Sequence, residues 1–155
     1  MPKHKYKYRA VIISSLSVIF VLIFVVVPKT SGTELVMLDV GQGDSILLRS
    51  GGKSFLIDTG NQDSMLKSRL AEQGISHLDG VLITHPDDDH CGSLDVIDDL
   101  VVVSQFYVAK DLPTCSEGNC QKLMSQIHKI VKDEDVVRMK VGDRINFGEI
   151  ELEII

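Results

Sequence analysis

Thr84-His85-Pro86-Asp87-Asp88-Asp89-His90 gathers two imidazoles and three carboxylates into the six residues from His85 to His90. The stretch follows residues 80–84, Gly-Val-Leu-Ile-Thr, a short unbroken apolar run of the kind that forms a strand buried on both faces. Imidazole and carboxylate are donors that zinc, manganese and iron accept. In an extended segment His85 and Asp87 point the same way, and a turn after them can bring Asp89 and His90 round to a neighbouring point. One loop can therefore supply ligands to two adjacent ions. The same residues also fit a solvated acidic loop with two incidental histidines, and Asp88 is a solvated spacer in either case.

Outward from this loop, the chain alternates strand and helix patterns. Residues 34–40 are apolar and β-prone, Gly41-Gln42-Gly43-Asp44 interrupts them, and residues 45–49 resume a strand. Ser50-Gly51-Gly52-Lys53 is a hairpin turn leading to a third strand at 54–57, which ends on Asp58-Thr59-Gly60. Asp63 or Ser64 can cap a helix that runs to about residue 73, with Leu66 and Leu70 at helical spacing and Gly74 as its stop. Beyond the acidic loop, residues 92–100 read as a helix, 101–108 as one apolar strand and 121–131 as a second helix. Strands return from Val136, with turns at Val141-Gly142-Asp143 and Phe147-Gly148-Glu149. This order predicts an α/β sandwich whose sheet is covered by helices. His77, before a strand with no partner acid in sequence, and His128, on a helix pattern amid Lys129 and Lys132, read as surface histidines.

The N-terminal region has a different character. Residues 11–27 carry no charge and are interrupted by three serines only, which at about 1.5 Å per residue just reaches across a bilayer core of about 30 Å. A transmembrane anchor over 11–28 is expected; a cleaved signal peptide and a buried helix are the other readings. Lys3, Lys5, Lys7 and Arg9 precede the run and Lys29 follows it, so residues 1–10 are expected in the cytoplasm. A linker at 29–33 then leads to an extracytoplasmic domain at 34–155. From Thr33 onward 22 acids face 11 bases, a net charge of −11, which excludes general electrostatic attraction to nucleic acid. An outside location makes a disulfide between Cys115 and Cys120 possible, the alternative being two free thiols in a loop. Cys91 reads as a small packed side chain or a thiol behind the metal loop.

The loop resembles the HxHxDH signature of the metallo-β-lactamase superfamily, with His85, Asp89 and His90 matching and Asp87 standing where a histidine is usual. Leu38-Asp39-Val40-Gly41-Gln42-Gly43-Asp44, Leu56-Ile57-Asp58-Thr59-Gly60 and Thr84-His85-Pro86-Asp87-Asp88-Asp89-His90 look like three ordered motifs of one branch. That branch comprises the metallo-hydrolase domain of the ComEC competence proteins, which take part in DNA uptake, and its free-standing relatives; an Asp at the second position is usual there. The resemblance implies that His85, Asp87, Asp89 and His90 ligate metal, with Asp89 also the catalytic residue. It implies that Asp58 orients the loop without ligating, while Asp44 either contacts substrate or closes a turn. Gly41 and Gly43 allow the tight turn that brings the first strand's end to the site.

Two divalent ions, zinc or manganese, are then expected, lowering the pKa of water and stabilising charge on a leaving oxygen. Phosphodiester or related ester bonds, in single- or double-stranded DNA, are the substrate class so implied. A non-catalytic anchored metal-binding or assembly module is the alternative. The superfamily's later bridging Asp and late histidines find no match after His90, and the apolar run at the C-terminus ends without a cap. The expectation is therefore of a first half of an αβ/βα sandwich. Alone it would bind metal weakly and lack hydrolase activity, with a further chain supplying the missing half.

Overall fold

Leu47 and Leu48 are neighbours in sequence, yet both are buried, because a strand sends successive side chains to opposite faces and both faces of this sheet are covered. The structure is a computed structural model that describes residues 32–155 except Asp63, Ser116 and Glu117. The apolar run at 11–27, and with it the anchor, the signal-peptide reading and the membrane topology, lies outside the described residues. Among those described, no helix is long and apolar enough to cross a membrane.

The main sheet has six strands: β1 (Glu34–Met37), β2 (Ile46–Ser50), β3 (Lys53–Ile57), β5 (Gly80–Leu82), β7 (Phe106–Ala109) and β8 (Val136–Met139), in that spatial order. β1, β2 and β3 pair antiparallel, whereas β3, β5, β7 and β8 run parallel. The β2–β3 hairpin turns on Gly51 and Gly52, at φ +58° and +79°, a pair of positive values that only glycine adopts without strain.

One face is covered by α1 (Leu66–Glu72), α3 (Leu94–Leu100) and α4 (Gly118–Ile130). Leu66, Leu70, Leu94, Ile97, Leu123 and Ile127 from these helices pack on Leu47, Leu56, Val81, Phe106 and Val136. Each such fully buried side chain contributes about 1.5–3 kcal/mol relative to exposure. The other face takes strands and not helices. It is covered by a β-hairpin, β9 (Arg144–Phe147) with β10 (Ile150–Glu153), whose Ile145 and Phe147 cluster with Leu48, Phe55 and Met139. The Phe55 and Phe147 rings lie 5.5 Å apart between centroids.

Other expectations need correction. Residues 101–108 are not one strand. Val102–Val103 (β6) pairs with His77–Leu78 (β4) in a separate two-stranded ladder, and β7 begins only at Phe106. The reason is a change of partner: Ser104 N–H donates to Leu78 O, while Gln105 O accepts from Val81 N–H. β1 stops at Met37 because Val40 N–H turns back to Leu38 O. Helix α1 starts at Leu66, whose N–H donates to Ser64 Oγ at 3.2 Å. Finally, the expected helix at 92–100 is preceded by a separate single turn, α2 (Asp88–Cys91), within the acidic loop.

Candidate metal centre

Strand β5 carries the chain to the site. Past Leu82, Ile83 N–H donates to Tyr107 O, and Thr84 N–H donates to Asp58 Oδ1 at 2.8 Å, so the strand's end is held from both sides. Asp87 is extended (φ −84°, ψ 147°), and the turn of α2 then folds the chain back. This brings a donor atom of each of His85, Asp89 and His90 within 4.8 Å of the others. The two imidazoles stand 3.8 Å apart between centroids, and His90 Nε2 is 3.7 Å from Asp89 Oδ2. Asp87 is outside this group of three. Its Oδ2 lies 3.2 Å from His85 Nε2.

Asp58 is 3 % exposed and adopts φ +57°, the one non-glycine residue at positive φ among those described. Its carboxylate accepts from Thr84 N–H and, at 2.6 Å, from Thr84 Oγ1, and lies 2.8 Å from His90 Nδ1. Carboxylate against Nδ1 places the ring proton there and leaves the lone pair of Nε2, 3.7 Å from Asp89 Oδ2, free to bind a metal. Burial draws the His90 pKa down, but the hydrogen bond and charge of Asp58, helped by Asp89 and Asp44, outweigh it and raise the value above normal. Thr84 Oγ1 gives its one proton to Asp58 and also meets His85 Nδ1 at 3.1 Å. One threonine thus links the orienting acid to both histidines. Sequence reading passed over Thr84; its position before His85 at the end of a buried strand was the available signal.

Backbone contacts from two remote loops pin the ligand segment. Asp44 N–H donates to Asp89 O at 3.2 Å, and Thr59 donates to His90 O through both N–H (2.7 Å) and Oγ1 (3.2 Å). Gly43 has φ +99°, and a Cβ there would collide with the Asp89 carbonyl oxygen. Glycine is therefore required both by conformation and by the close approach of two backbones. Asp44 itself is exposed, with its N–H serving the turn and its carboxylate contributing to the field at His90.

The remaining candidates lie elsewhere. Asp88 forms an ion pair with Lys122 of α4 at 3.2 Å. Cys91 is buried, its Sγ–H donates to Asp87 O at 3.3 Å, and burial pushes its thiol up to about 11. Cys115 and Cys120 are joined in a disulfide at the start of α4. His77 is exposed beside Ser104 Oγ, and His128 is 3.3 Å from Asp133 Oδ1, away from the cluster.

Two imidazoles and a carboxylate converging on one point, one imidazole held in its ligating tautomer by a buried acid, are a donor set that fits a divalent transition metal. Three side chains suffice for one open-coordinated ion. Among the described residues no other such group of three or more metal-binding side chains is found.

The sequence profile described as Metallo-beta-lactamase superfamily matches residues 38–152. ComE operon protein 3 of Bacillus subtilis is 24% identical over 156 residues, covering 86% of this chain and 19% of that protein. Among solved structures, the metallo-beta-lactamase GOB-18 of Elizabethkingia meningoseptica superposes with TM-score 0.57 at 22% identity, covering 79% of this chain and 48% of that one. A putative metallo-beta-lactamase of Thermotoga maritima gives TM-score 0.57 at 22% identity over 74% of this chain and 62% of its own. The chain thus spans about a fifth of the curated relative and about half of GOB-18.

Proposed function

This chain belongs to the metallo-beta-lactamase superfamily, and on that premise we propose that it is a metal-dependent hydrolase domain of the ComEC-like branch, acting on phosphodiester bonds of DNA in competence-type uptake. The observation that carries the reading is the Asp58–His90 contact, which leaves His90 Nε2 facing Asp89 beside His85. In this reading His85, Asp89 and His90 hold the metal, Asp87 is a fourth ligand, and Asp89 is the catalytic residue. Zinc or manganese, when bound, supplies an activated water and stabilises charge on the leaving oxygen. The protein's own part is to orient: Asp58 fixes the His90 ring, Thr84 fixes His85, and Asp44 and Thr59 hold the carbonyls of Asp89 and His90. A second ion needs ligands beyond this cluster, from the rest of a longer chain or from another chain. The similarity to ComE operon protein 3 supports the branch.

The proposal includes anchoring by residues 11–28 in the cell membrane, with the domain outside the cytoplasm. The basic residues before that run and the Cys115–Cys120 disulfide support this placement. Labelling of Cys115 by a membrane-impermeant thiol reagent after reduction of intact cells checks it; protection of Cys115 overturns the topology.

A non-catalytic metal-binding or assembly module is the second reading, favoured by the small number of converging ligands. The two are separated by metal content and by zinc- or manganese-dependent hydrolysis of bis(p-nitrophenyl) phosphate. Turnover that is lost in His90→Ala, but kept in His77→Ala and His128→Ala, supports the hydrolase. Metal retained without turnover, in this chain and in any longer product containing it, supports the module.

A further inference from the structure

At the end of the main sheet remote from the metal loop lies a separate pocket of about 270 Å3. The parallel strands β5 and β7 start beside it, after Asp79 and Gln105, and β5 runs from there toward Thr84 and the metal loop. The last residue to border it is Phe147, and the β9–β10 hairpin on that side is held to the sheet by Glu149 N–H, which donates to Ser50 Oγ at 2.8 Å. Its volume falls below the range of drug-sized sites, about 300–1,000 Å3, so it has room for a small solute only.

Three of the four Phe and Tyr residues in 32–155 gather here: Phe55, Tyr107 and Phe147. The Phe55 ring lies 5.4 Å from that of Tyr107 and 5.5 Å from that of Phe147, between centroids. Gly80 makes room for them, since a Cβ on it would strike the rings of both Phe55 and Tyr107. Polar groups converge on the same space. Tyr107 O–H donates to Gln105 Oε1 at 2.9 Å, which leaves the Gln105 NH2 as a donor and the phenol oxygen as an acceptor. Asp79 Oδ2 accepts from Ser54 N–H at 2.9 Å. Lys53 lies on the Phe55 side of β3, by the two-residue alternation of a strand, and borders the pocket too. Among the described residues neither Lys53 nor Asp79 has an ion-pair partner. The two bring opposite charges to one cavity without touching each other.

We propose that this pocket binds a small α-amino acid as its zwitterion, the carboxylate on Lys53 and the Gln105 amide, the ammonium on Asp79 and the Tyr107 oxygen. Unlike charges that share a cavity and do not neutralise each other match a solute that carries both. A simple anion would have to sit against Asp79, and a simple cation against Lys53. The aromatic rings add to the attraction for the ammonium, which is drawn to a ring face. None of these residues belongs to the metal cluster, so the site is independent of the hydrolase reading.

The test is isothermal titration of L-alanine into the full 155-residue chain, in chelator so that no metal-bound amino acid contributes. Propionate, which lacks the ammonium, and ethylamine, which lacks the carboxylate, are titrated beside it. L-alanine is expected to bind roughly tenfold more tightly than either, the worth of one more hydrogen bond between charged groups. Lys53→Gln should weaken L-alanine roughly tenfold without weakening ethylamine. Asp79→Asn, whose amide oxygen still accepts from Ser54 N–H, should weaken it likewise without weakening propionate. Lys129→Gln, on α4 away from the pocket, should change nothing. Lys53 is exposed, so its variant keeps the fold, which far-UV circular dichroism checks. No saturable binding of L-alanine, equal affinity for the three solutes, or wild-type binding by Lys53→Gln overturns the proposal. Zinc and manganese affinities of the same variants, measured without chelator, should stay at the wild-type value. Their loss together with alanine binding would mean that the variants act on the fold as a whole and would overturn the separate site.

Discussion

Asp58 and His90 are 32 positions apart in sequence and meet at 2.8 Å, carboxylate Oδ2 to imidazole Nδ1. Asp58→Asn tests what the charge does there. The amide can still accept from Thr84 N–H, but its NH2 cannot accept from His90. The imidazole is then driven toward the tautomer with its proton on Nε2, the nitrogen needed for metal. Metal affinity should fall about 10–100-fold with the fold retained. Isothermal titration with zinc or manganese beside far-UV circular dichroism checks both parts; unchanged affinity would remove the orienting role.

Gly43 and Gly41 separate backbone strain from steric contact. Both have positive φ, +99° and +83°, but only at Gly43 would a Cβ strike another segment, the Asp89 carbonyl. Gly41→Ala should cost about 1 kcal/mol from conformation alone. Gly43→Ala should cost about 2–4 kcal/mol and also displace the ligand loop, lowering metal content. Urea denaturation curves and metal analysis on the two variants give the comparison.

The metal loop, the Gly51-Gly52 hairpin and the buried strand leading to His85 were legible because each is written in consecutive residues. The break between β6 and β7 was not, since Ser104-Gln105 interrupts the run with no Gly or Pro to mark a turn and only the partners of those two residues decide that the chain changes ladder. The cover of the second sheet face was also illegible. Arg144–Phe147 has the alternation of a half-buried strand, but no local pattern says which surface it will meet. In the site, His85, Asp89 and His90 were evident from residue type, whereas the services of Thr84, Thr59 and the Asp44 N–H depend on contacts between segments far apart in sequence.

Phe147→Ala should show how far the β9–β10 hairpin depends on the aromatic contact with Phe55. Removing a ring that is 3 % exposed costs about 3–5 kcal/mol. The loss should appear as early hydrogen exchange at Arg144–Phe147 and Ile150–Glu153, with β5 and β7 still protected. Uniform loss of protection across the main sheet would mean that the hairpin does not open on its own.

Asp133 supplies a pH-dependent contribution. Its carboxylate meets Arg138 Nη2 at 2.6 Å, and that hydrogen bond and charge hold its pKa below the ordinary 3.8, with His128 adding to the effect. A lowered folded value means that the stabilisation is present above about 3.8 and is lost as pH falls through the folded pKa. The wild type should therefore melt slightly higher than Asp133→Asn at neutral pH, with the gap closing as acid is added below 3.8. Because both groups are on the surface, salt should narrow the gap too. A gap that widens in acid would contradict the assignment.

His85, Asp89 and His90 lie so close along the chain that unfolding does not disperse them. A denatured chain keeps two imidazoles and a carboxylate within one short loop and so retains affinity for zinc or manganese of its own. Ligand that binds both states stabilises only by the difference between them, less than saturation of the native site alone would give. That difference resides in Asp58, Thr59 and Asp44, which the unfolded chain scatters. The rise in melting temperature per decade of added metal is thus a readout of the distant contacts that shape the loop, and the loop's own donors drop out of it.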